Sequence, residues 1–336
     1  MYLLTFITKI FHFLPEEIAH RFALSGLKLI YSAGILKIFL GKTPIDREIP
    51  YNFFGNGICK NKLGIAAGLD KDGEYIDCLS ALGVGFIEVG TVTPLQQRGN
   101  PKPRLFRNKT ERSLLNRLGF NNKGVEALVK NLKKRKSTVP IGVSIGKNFD
   151  TPNEAAYKDY LFCMEKVYKY SSYIAINISS PNTKGLRELS SNKFLGDLLK
   201  IIKDKQNELS KSFEYVPIFV KLSPDEDPED LEEICKSILD YGIDGIIVSN
   251  TTIIHNHKNG YGGLSGSPLK NKADEKLSYI KKIVGDKIPV IASGGVMSAK
   301  DYLEKINAGA DLVQIYTGFI FEGPKLIQDI LIADSS

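Results

Sequence analysis

The sequence predicts an α/β chain folded as a closed (β/α)8 barrel, a TIM barrel, with a two-helix module ahead of it. Three observations carry this. From about residue 60 onward, short apolar runs alternate with longer amphipathic stretches, the pattern of repeated β-then-α units. The repeats number eight. Polar residues collect where the apolar runs end, which is where barrels of this kind place their working loops.

The eight expected strands are Leu63–Ala66, Phe86–Val89, Ile141–Ser144, Ile174–Asn177, Pro217–Lys221, Gly245–Ser249, Pro289–Ala292 and Leu312–Ile315. Each is short and apolar throughout, as a strand buried on both faces must be. Lys71 follows the first, Thr91 the second, Asn177 and Ser180 the fourth; Lys221, Ser249 and Asn250 close the fifth and sixth. Strand-end capping accounts for any one of these residues, but not for the set.

Residues 1–45 read as a separate module, with helical stretches near Pro15–Gly26 and Leu27–Leu40, and residues 46–336 as the barrel. The module carries Phe6, Ile10, Phe11, Phe13, Leu14, Ile18, Phe22, Leu29, Ile30, Ile35, Ile38 and Phe39, more apolar surface than two helices readily hide. Lys9, Arg21, Lys28 and Lys37 lie among them. Basic helices of this composition lie in a lipid interface, or pack on the barrel or on a partner. No run reaches the 18 or so uninterrupted apolar residues of a spanning helix. Residues 1–14 lack a basic start and a small-residue cleavage site, so no signal peptide is expected.

Composition excludes several classes. Apolar residues at 43% and charged residues at 25% are ordinary globular values, so neither disorder nor a metal-stapled fold is expected. The net charge of +7 includes the run KNLKKRK at 130–136, which reads as a solvated helix end because no aromatic residues interleave with it; nucleic acid is not an expected partner. Cys59, Cys78, Cys163 and Cys235 form no C-x-x-C pair, which argues against disulfides and zinc. His255 and His257 sit without a carboxylate pattern, so no metal site is expected.

The glycine-rich loops are more specific. GGLSG at 262–266, SGG at 293–295 and Tyr316-Thr317-Gly318 fall at and after the last strands, where barrels bind phosphate through backbone N–H groups near a helix N-terminus. A phosphorylated cofactor or substrate follows. The first loop, Ala66-Ala67-Gly68-Leu69-Asp70-Lys71-Asp72-Gly73, is small enough for a flat ring to lie against backbone, with Lys71 beside it. That cation, and Lys221, would stabilise a reduced flavin or an enolate-like substrate. Asn116, Asn177, Asn182 and Asn250 each offer a donor and an acceptor, matching a cyclic urea or imide, although asparagine is also a common turn residue. Ser180 needs a neighbour or a water chain to receive its proton before it can act as a base, and no histidine lies in the strand-end loops.

AAGLDKDG at 66–73, EVGTVTP at 88–94, NRLGFNN at 116–122 and NISSPNT at 177–183 occur together and in order, followed by SNTT at 249–252, GGLSG, SGG and QIYTGFIFEGP at 314–324. The chain resembles dihydroorotate dehydrogenase along nearly its whole length. Serine at 180, where the soluble classes typically carry cysteine, and the N-terminal helices make it similar to the quinone-dependent, membrane-associated class. The resemblance implies oxidation of (S)-dihydroorotate to orotate in de novo pyrimidine (UMP) biosynthesis. Ser180 would remove the C5 proton, FMN would take hydride from C6, and a membrane quinone would reoxidise it.

Carried over motif by motif, FMN would be held by Ala67, Gly68, Leu69, Asp70, Lys71, Thr91, Asn177, Lys221, Gly266, Gly295, Tyr316 and Thr317. Dihydroorotate would be held by Lys71, Asn116, Arg117, Leu118, Gly119, Phe120, Asn177, Asn182, Asn250 and Thr251. Ser144 stands where the family usually has asparagine and Ser249 where threonine is common; both stay in the FMN set, with water expected to replace a direct Ser144 contact. Thr183 and Phe120 are candidates to shape the proton's exit from Ser180, and Arg104 and Arg107 to face the quinone path. The resemblance also implies a peripheral membrane protein, on the cytoplasmic face of the inner membrane in a bacterium. Nothing in the pattern demands more than a monomer.

Overall fold

The structure, a computed structural model, describes Thr8, residues 10–40, 49–50, 58–183, 185–190 and 192–335. Phe6, Lys9 and the expected 45/46 boundary lie outside the described residues.

Eight parallel strands close into a barrel. In chain order they are β3 (Leu63–Ile65), β4 (Phe86–Val92), β7 (Ile141–Ile145), β8 (Tyr173–Asn177), β9 (Ile218–Leu222), β10 (Gly245–Val248), β12 (Val290–Ser293) and β13 (Leu312–Ile315). Neighbours around the ring follow chain order, and β13 pairs with β3 to close it. All eight expected strands form, most within one residue at either end. The largest difference is β4, which continues to Val92 across an irregularity between Val89 and Val92. That extension carries Thr91 to the rim.

The amino ends of the strands are plugged. Phe86, Tyr173 and Phe219 fill this end against Gly64, Gly142 and Gly245, where a Cβ would stand 2.0–2.3 Å from a ring carbon. Bulky rings below and small residues above leave the open end of the barrel at the carboxyl termini of the strands. The surrounding helices bury one stripe each. In α4 (Val125–Lys134), Val125, Leu128, Val129 and Leu132 recur at i, i+3, i+4 and i+7; Leu231, Ile234, Cys235 and Ile238 do the same in α7 (Pro228–Asp240). The basic run at 130–136 ends α4 with Lys133 and Lys134 exposed in its last turn, as the composition suggested.

Further helices are α1 (Glu16–Ser32), α2 (Leu36–Leu40), α3 (Ile76–Ser80), α5 (Ala156–Val167), α6 (Asn192–Leu209), α8 (Lys270–Val284), α9 (Ala299–Asn307), α10 (Thr317–Glu322) and α11 (Pro324–Ser335). The expected division of the first module at Gly26 is corrected: α1 runs through it. One helical glycine costs only about 1 kcal/mol, too little to break a helix whose neighbours pack well. The helix stops instead at Gly34, whose φ of +73° suits glycine. There the N–H groups of Gly34 and Ile35 reach back to the carbonyls of Tyr31 and Ile30, a Schellman closure.

Two small sheets were not foreseen. β1 (Ile49–Pro50) pairs with β2 (Ile58–Cys59), and β5 (Leu105–Asn108), β6 (Ser113–Asn116) and β11 (Gly263–Gly266) form an antiparallel sheet in the order β11-β6-β5. The second sheet brings Asn116 opposite both Leu105 and Gly263.

Candidate active site

One cavity opens at the carboxyl ends of the strands, and most of the residues singled out from sequence line it. From the first loop come Ala67, Gly68 and Lys71; from the rim of β4 and β8, Thr91, Asn177, Ser180 and Asn182; from β9 and β10, Lys221, Ser249, Asn250 and Thr251. Asn116, Leu118, Gly119 and Phe120 enter from β6 and the loop after it, and Gly266, Gly295, Tyr316 and Thr317 complete the ring.

The asparagines are tied to one another. Asn182 Nδ2 donates to Asn116 Oδ1 at 2.9 Å, and Asn116 Nδ2 donates to the Gly263 carbonyl at 3.1 Å. Asn250 Nδ2 donates to Ser179 Oγ at 3.1 Å and lies 3.4 Å from Asn177 Oδ1. The two pairs so formed, Asn116 with Asn182 and Asn177 with Asn250, hold fixed donor and acceptor directions, which turn asparagines do not. Asn182 Oδ1 is buried with no partner, an acceptor left over for something in the cavity.

Ser180 is 7% exposed, in the loop after β8. Among the described residues its Oγ accepts only a long bond from the Asn182 N–H, at 3.4 Å. Nearby, Thr183 Oγ1 is buried without a partner among the described residues, and Phe120 takes a positive φ of +51° in the cavity wall. His255 is occupied elsewhere, bonded to the Gly262 carbonyl. A histidine-assisted serine is therefore not built here.

Burial, followed by repulsion from Arg104, lowers the Lys71 ammonium to about 8; its Nζ donates to Asn121 Oδ1 at 2.9 Å. At neutral pH it stays charged. Lys221 is buried, and among the described residues its ammonium makes no hydrogen bond. The glycine loops are placed as a cradle: Gly294 and Gly295 take φ of +101° and +75°, and a Cβ on Gly295 would stand 2.3 Å from the Lys270 Cα. Only glycine lets the loop after β12 lie this close to α8. Thr317, at the start of α10, shares a 2.8 Å bond with Ser265.

Four residues of the expected sets do not line this cavity. Asp70 turns away from this cavity: its carboxylate accepts the N–H groups of Glu74 and Tyr75 at 2.9 and 2.7 Å, while burial raises it to about 6. Leu69 lines a different cavity. Ser144 is fully buried beneath the rim and shares a 2.8 Å bond with Thr91, whose Oγ1 in turn accepts Asn177 Nδ2 at 2.8 Å. It supports a wall residue instead of meeting the cavity directly. Arg117 lies outside, its guanidinium 4.8 and 4.5 Å from the ring centroids of Phe106 and Tyr261.

A second cavity of about 560 Å³ lies between α1 and the barrel. Phe11, Leu24, Leu27 and Ile30 line one side; Leu105, Leu118, Tyr316 and Phe319 line the other. Gly68, Lys71, Leu118 and Tyr316 belong to both cavities, so the two meet across a wall one residue thick. Arg107 faces this space, whereas Arg104 is held by Glu17, with Nη2 donating at 2.9 Å. His20, not singled out from the sequence, lines it too; burial and the Lys71 charge lower it to about 4, so it is neutral. The opposite face of the module is apolar and open, with Phe13, Phe22 and Leu29 exposed by 83%, 54% and 71%. Among the described residues no helix is long and apolar enough to cross a membrane.

This arrangement, with polar side chains from most of the strand ends around one cavity, defines a barrel enzyme. The dihydroorotate dehydrogenase family model matches residues 51–333. A protein of Aliivibrio salmonicida named dihydroorotate dehydrogenase (quinone) is 48% identical over 325 residues, 95% of this chain and 96% of its own. One of the same name from Pectobacterium atrosepticum is 53% identical over 279 residues, 81% and 83% of the two chains. The crystal structure of an Eimeria tenella DHODH in complex with ferulenol superposes with a TM-score of 0.84 at 32% identity, covering 95% of this chain and 90% of that one. The chain belongs to the dihydroorotate dehydrogenase family, oxidoreductases of pyrimidine biosynthesis.

Proposed function

We propose that this protein oxidises (S)-dihydroorotate to orotate with Ser180 as the base, FMN as its cofactor and a membrane quinone as electron acceptor. The observation that carries this reading is the shared wall: a polar cavity holding Ser180 and two hydrogen-bonded pairs of asparagines meets an apolar cavity under α1 across Gly68, Lys71, Leu118 and Tyr316. A substrate site and a lipophilic acceptor site would then lie on either side of one flat group.

The residues present fit FMN. Gly266, Gly294, Gly295 and the start of α10 at Thr317 suit a phosphate. Ala67, Gly68 and Thr91 suit a ring face, and Lys221 offers an ammonium that makes no hydrogen bond among the described residues. When bound, FMN would accept hydride from the substrate and pass electrons onward to quinone. The chain's own residues orient and deprotonate. Asn116, Asn177, Asn182 and Asn250 would hold the ring carbonyls and N–H groups of dihydroorotate, and Lys71 its carboxylate. Ser180 Oγ would take the C5 proton and release it past Thr183 Oγ1, whose unmet hydrogen bond suits a bridging water. Phe120 closes that path from bulk solvent.

Residues 1–45 would act as the quinone-access and membrane-docking module and 46–336 as the catalytic barrel. The open apolar face, with Arg21 and Lys28 exposed beside it, supports peripheral attachment to a membrane, at its cytoplasmic face in a bacterium.

Purified protein should be yellow, and anaerobic dihydroorotate should bleach it. Ser180→Ala should still bind dihydroorotate but bleach roughly 100-fold or more slowly. Bleaching at the wild-type rate would remove Ser180 from the mechanism, and rapid reoxidation by fumarate but not by quinone analogues would remove the acceptor assignment.

A further inference from the structure

Glu88, in β4, is fully buried inside the barrel below the polar cavity. Its Oε2 accepts Tyr173 Oη at 2.9 Å and Gln314 Nε2 at 2.7 Å, and Gln314 lines the cavity. Its Oε1 makes no hydrogen bond. Among the described residues the cation in ion-pair reach is Lys221, with Nζ at 3.8 Å from that same oxygen. Tyr173 and Cys59 are the titratable groups packed on the far side, and both are neutral as ordinary side chains.

The two charges are incompletely satisfied in a complementary way. A carboxylate inside a barrel needs a counter-charge, because burying an unpaired one is costly. Lys221 supplies that charge yet stays beyond hydrogen-bond distance, with three donors and no acceptor. Its ammonium lines the cavity, so the missing acceptor lies on the cavity side. Were Glu88 only a structural partner of Tyr173 and Gln314, a neutral amide would do as well, and no cation would be needed beside it.

We propose that Glu88 is a positioning residue: its carboxylate holds the Lys221 ammonium at the floor of the cavity and offsets its charge, and so sets how readily the bound cofactor is reduced. This rests on FMN occupying the cavity as proposed above. A reduced flavin ring gains negative charge, so a site with Lys221 unopposed would favour reduction, and a site with Glu88 alone would disfavour it.

The test is the reduction equilibrium of the FMN-loaded full chain against a reference dye, without oxygen, in Glu88→Gln, Lys221→Met, the double variant and Tyr173→Phe. Glu88→Gln should move the equilibrium toward reduced flavin on the order of tenfold, about 30 mV for a two-electron couple. Lys221→Met should move it at least as far the other way, and the double variant should return near wild type. Tyr173→Phe, which removes two hydrogen bonds, to Glu88 and from Gln314, but no charge, should change it less than about twofold. A Glu88→Gln protein with wild-type potential overturns the proposal. Should Glu88→Gln not fold, Lys221→Met and the double variant decide by melting temperature: a lower value in Lys221→Met than in the double variant supports an uncompensated Glu88 charge, and equal values overturn it. Failure of the wild-type chain to bind FMN is a different outcome, which removes the cofactor reading and this inference with it.

Discussion

Truncating Arg187 should slow catalysis out of proportion to its effect on stability. Its guanidinium lies across three loops: Nε donates to the Ser179 carbonyl at 3.2 Å, Nη2 to the Thr251 carbonyl at 3.0 Å and Nη1 to Asp225 Oδ2 at 2.9 Å. Ser179 precedes Ser180 in the chain, and Thr251 lines the polar cavity. Asp225 also accepts Lys272 Nζ at 2.6 Å, Thr252 Oγ1 at 2.5 Å and the Ile253 N–H at 2.9 Å. Burial alone would raise this carboxyl, but the bonds from Lys272, Thr252, Ile253 and Arg187 prevail and hold it below the usual range. Its contribution is therefore complete above about pH 4 and lost as pH falls below it.

Breaking a buried pair outright costs 3–5 kcal/mol by the usual scale, but Lys272 remains on Asp225, so Arg187→Ala should lose about 2 kcal/mol, a few degrees in melting temperature. The rate should fall further, roughly 10- to 100-fold, because the Ser180 loop loses its tie to the loop bearing Asn250 and Thr251, and misplacement by an ångström costs that much. Lys272→Ala is the control. It takes the same charge from Asp225 but touches neither carbonyl, so it should lose comparable stability while anaerobic bleaching by dihydroorotate proceeds near the wild-type rate. Equal slowing in both variants would show that the cluster acts only through stability and refute the positioning argument.

Two further outcomes follow from the cavities. Because Lys71 is lowered to about 8 by burial and then by Arg104, orotate affinity should be flat below that pH and weaken by up to tenfold per unit above it, levelling off once pH passes the higher value that the bound anion gives Lys71. Lys71→Arg should abolish the break, and orotate titration of the bound flavin's spectrum checks both; unchanged wild-type affinity at pH 9.5 would exclude Lys71 as the anion partner. Replacing Phe13, Phe22 and Leu29 together with serine should cut co-sedimentation with anionic phospholipid vesicles at least tenfold while leaving the melting temperature nearly unchanged, since all three are exposed in the free protein. Undiminished vesicle binding would refute docking through this face.

The barrel was legible because its strands are buried on both faces, so each appears as a continuous apolar run, and Leu312–Ile315 is found to the residue. The sheet of β5, β6 and β11 was not, because Ser113–Asn116 pairs with Gly263–Gly266 about 150 positions away and neither segment alternates cleanly. The rim residues were legible for a positional reason: a polar side chain just after a buried run sits at the open end. Glu88 and Gln314 break that rule, lying within strands and pointing into the barrel, where a single sequence offers only a polar interruption in an apolar run. The side chains of Asp70 and Arg117 depart from expectation in the opposite sense. Both sit in the segments that match the family, yet Asp70 caps a turn and Arg117 stacks between two rings, uses that adjacency in sequence does not distinguish from ligand contact.

The same contrast explains why the apolar cavity was harder to read than the polar one. Its far wall is α1, whose sequence carries apolar residues on two faces: Leu24 and Leu27 turn inward while Ile18, Phe22 and Leu29 turn out. A helix apolar all round normally belongs in a core. Here one face closes a space of about 560 Å³ against the barrel and the other meets solvent, so neither face is satisfied by the chain alone. On the proposed function the inner face would take a lipophilic molecule and the outer a lipid surface, and one helix presenting both would make the membrane the direct source of whatever enters. Lys71 and Tyr316, in the wall that this space shares with the Ser180 cavity, are then where the chemistry of the two sides must be joined.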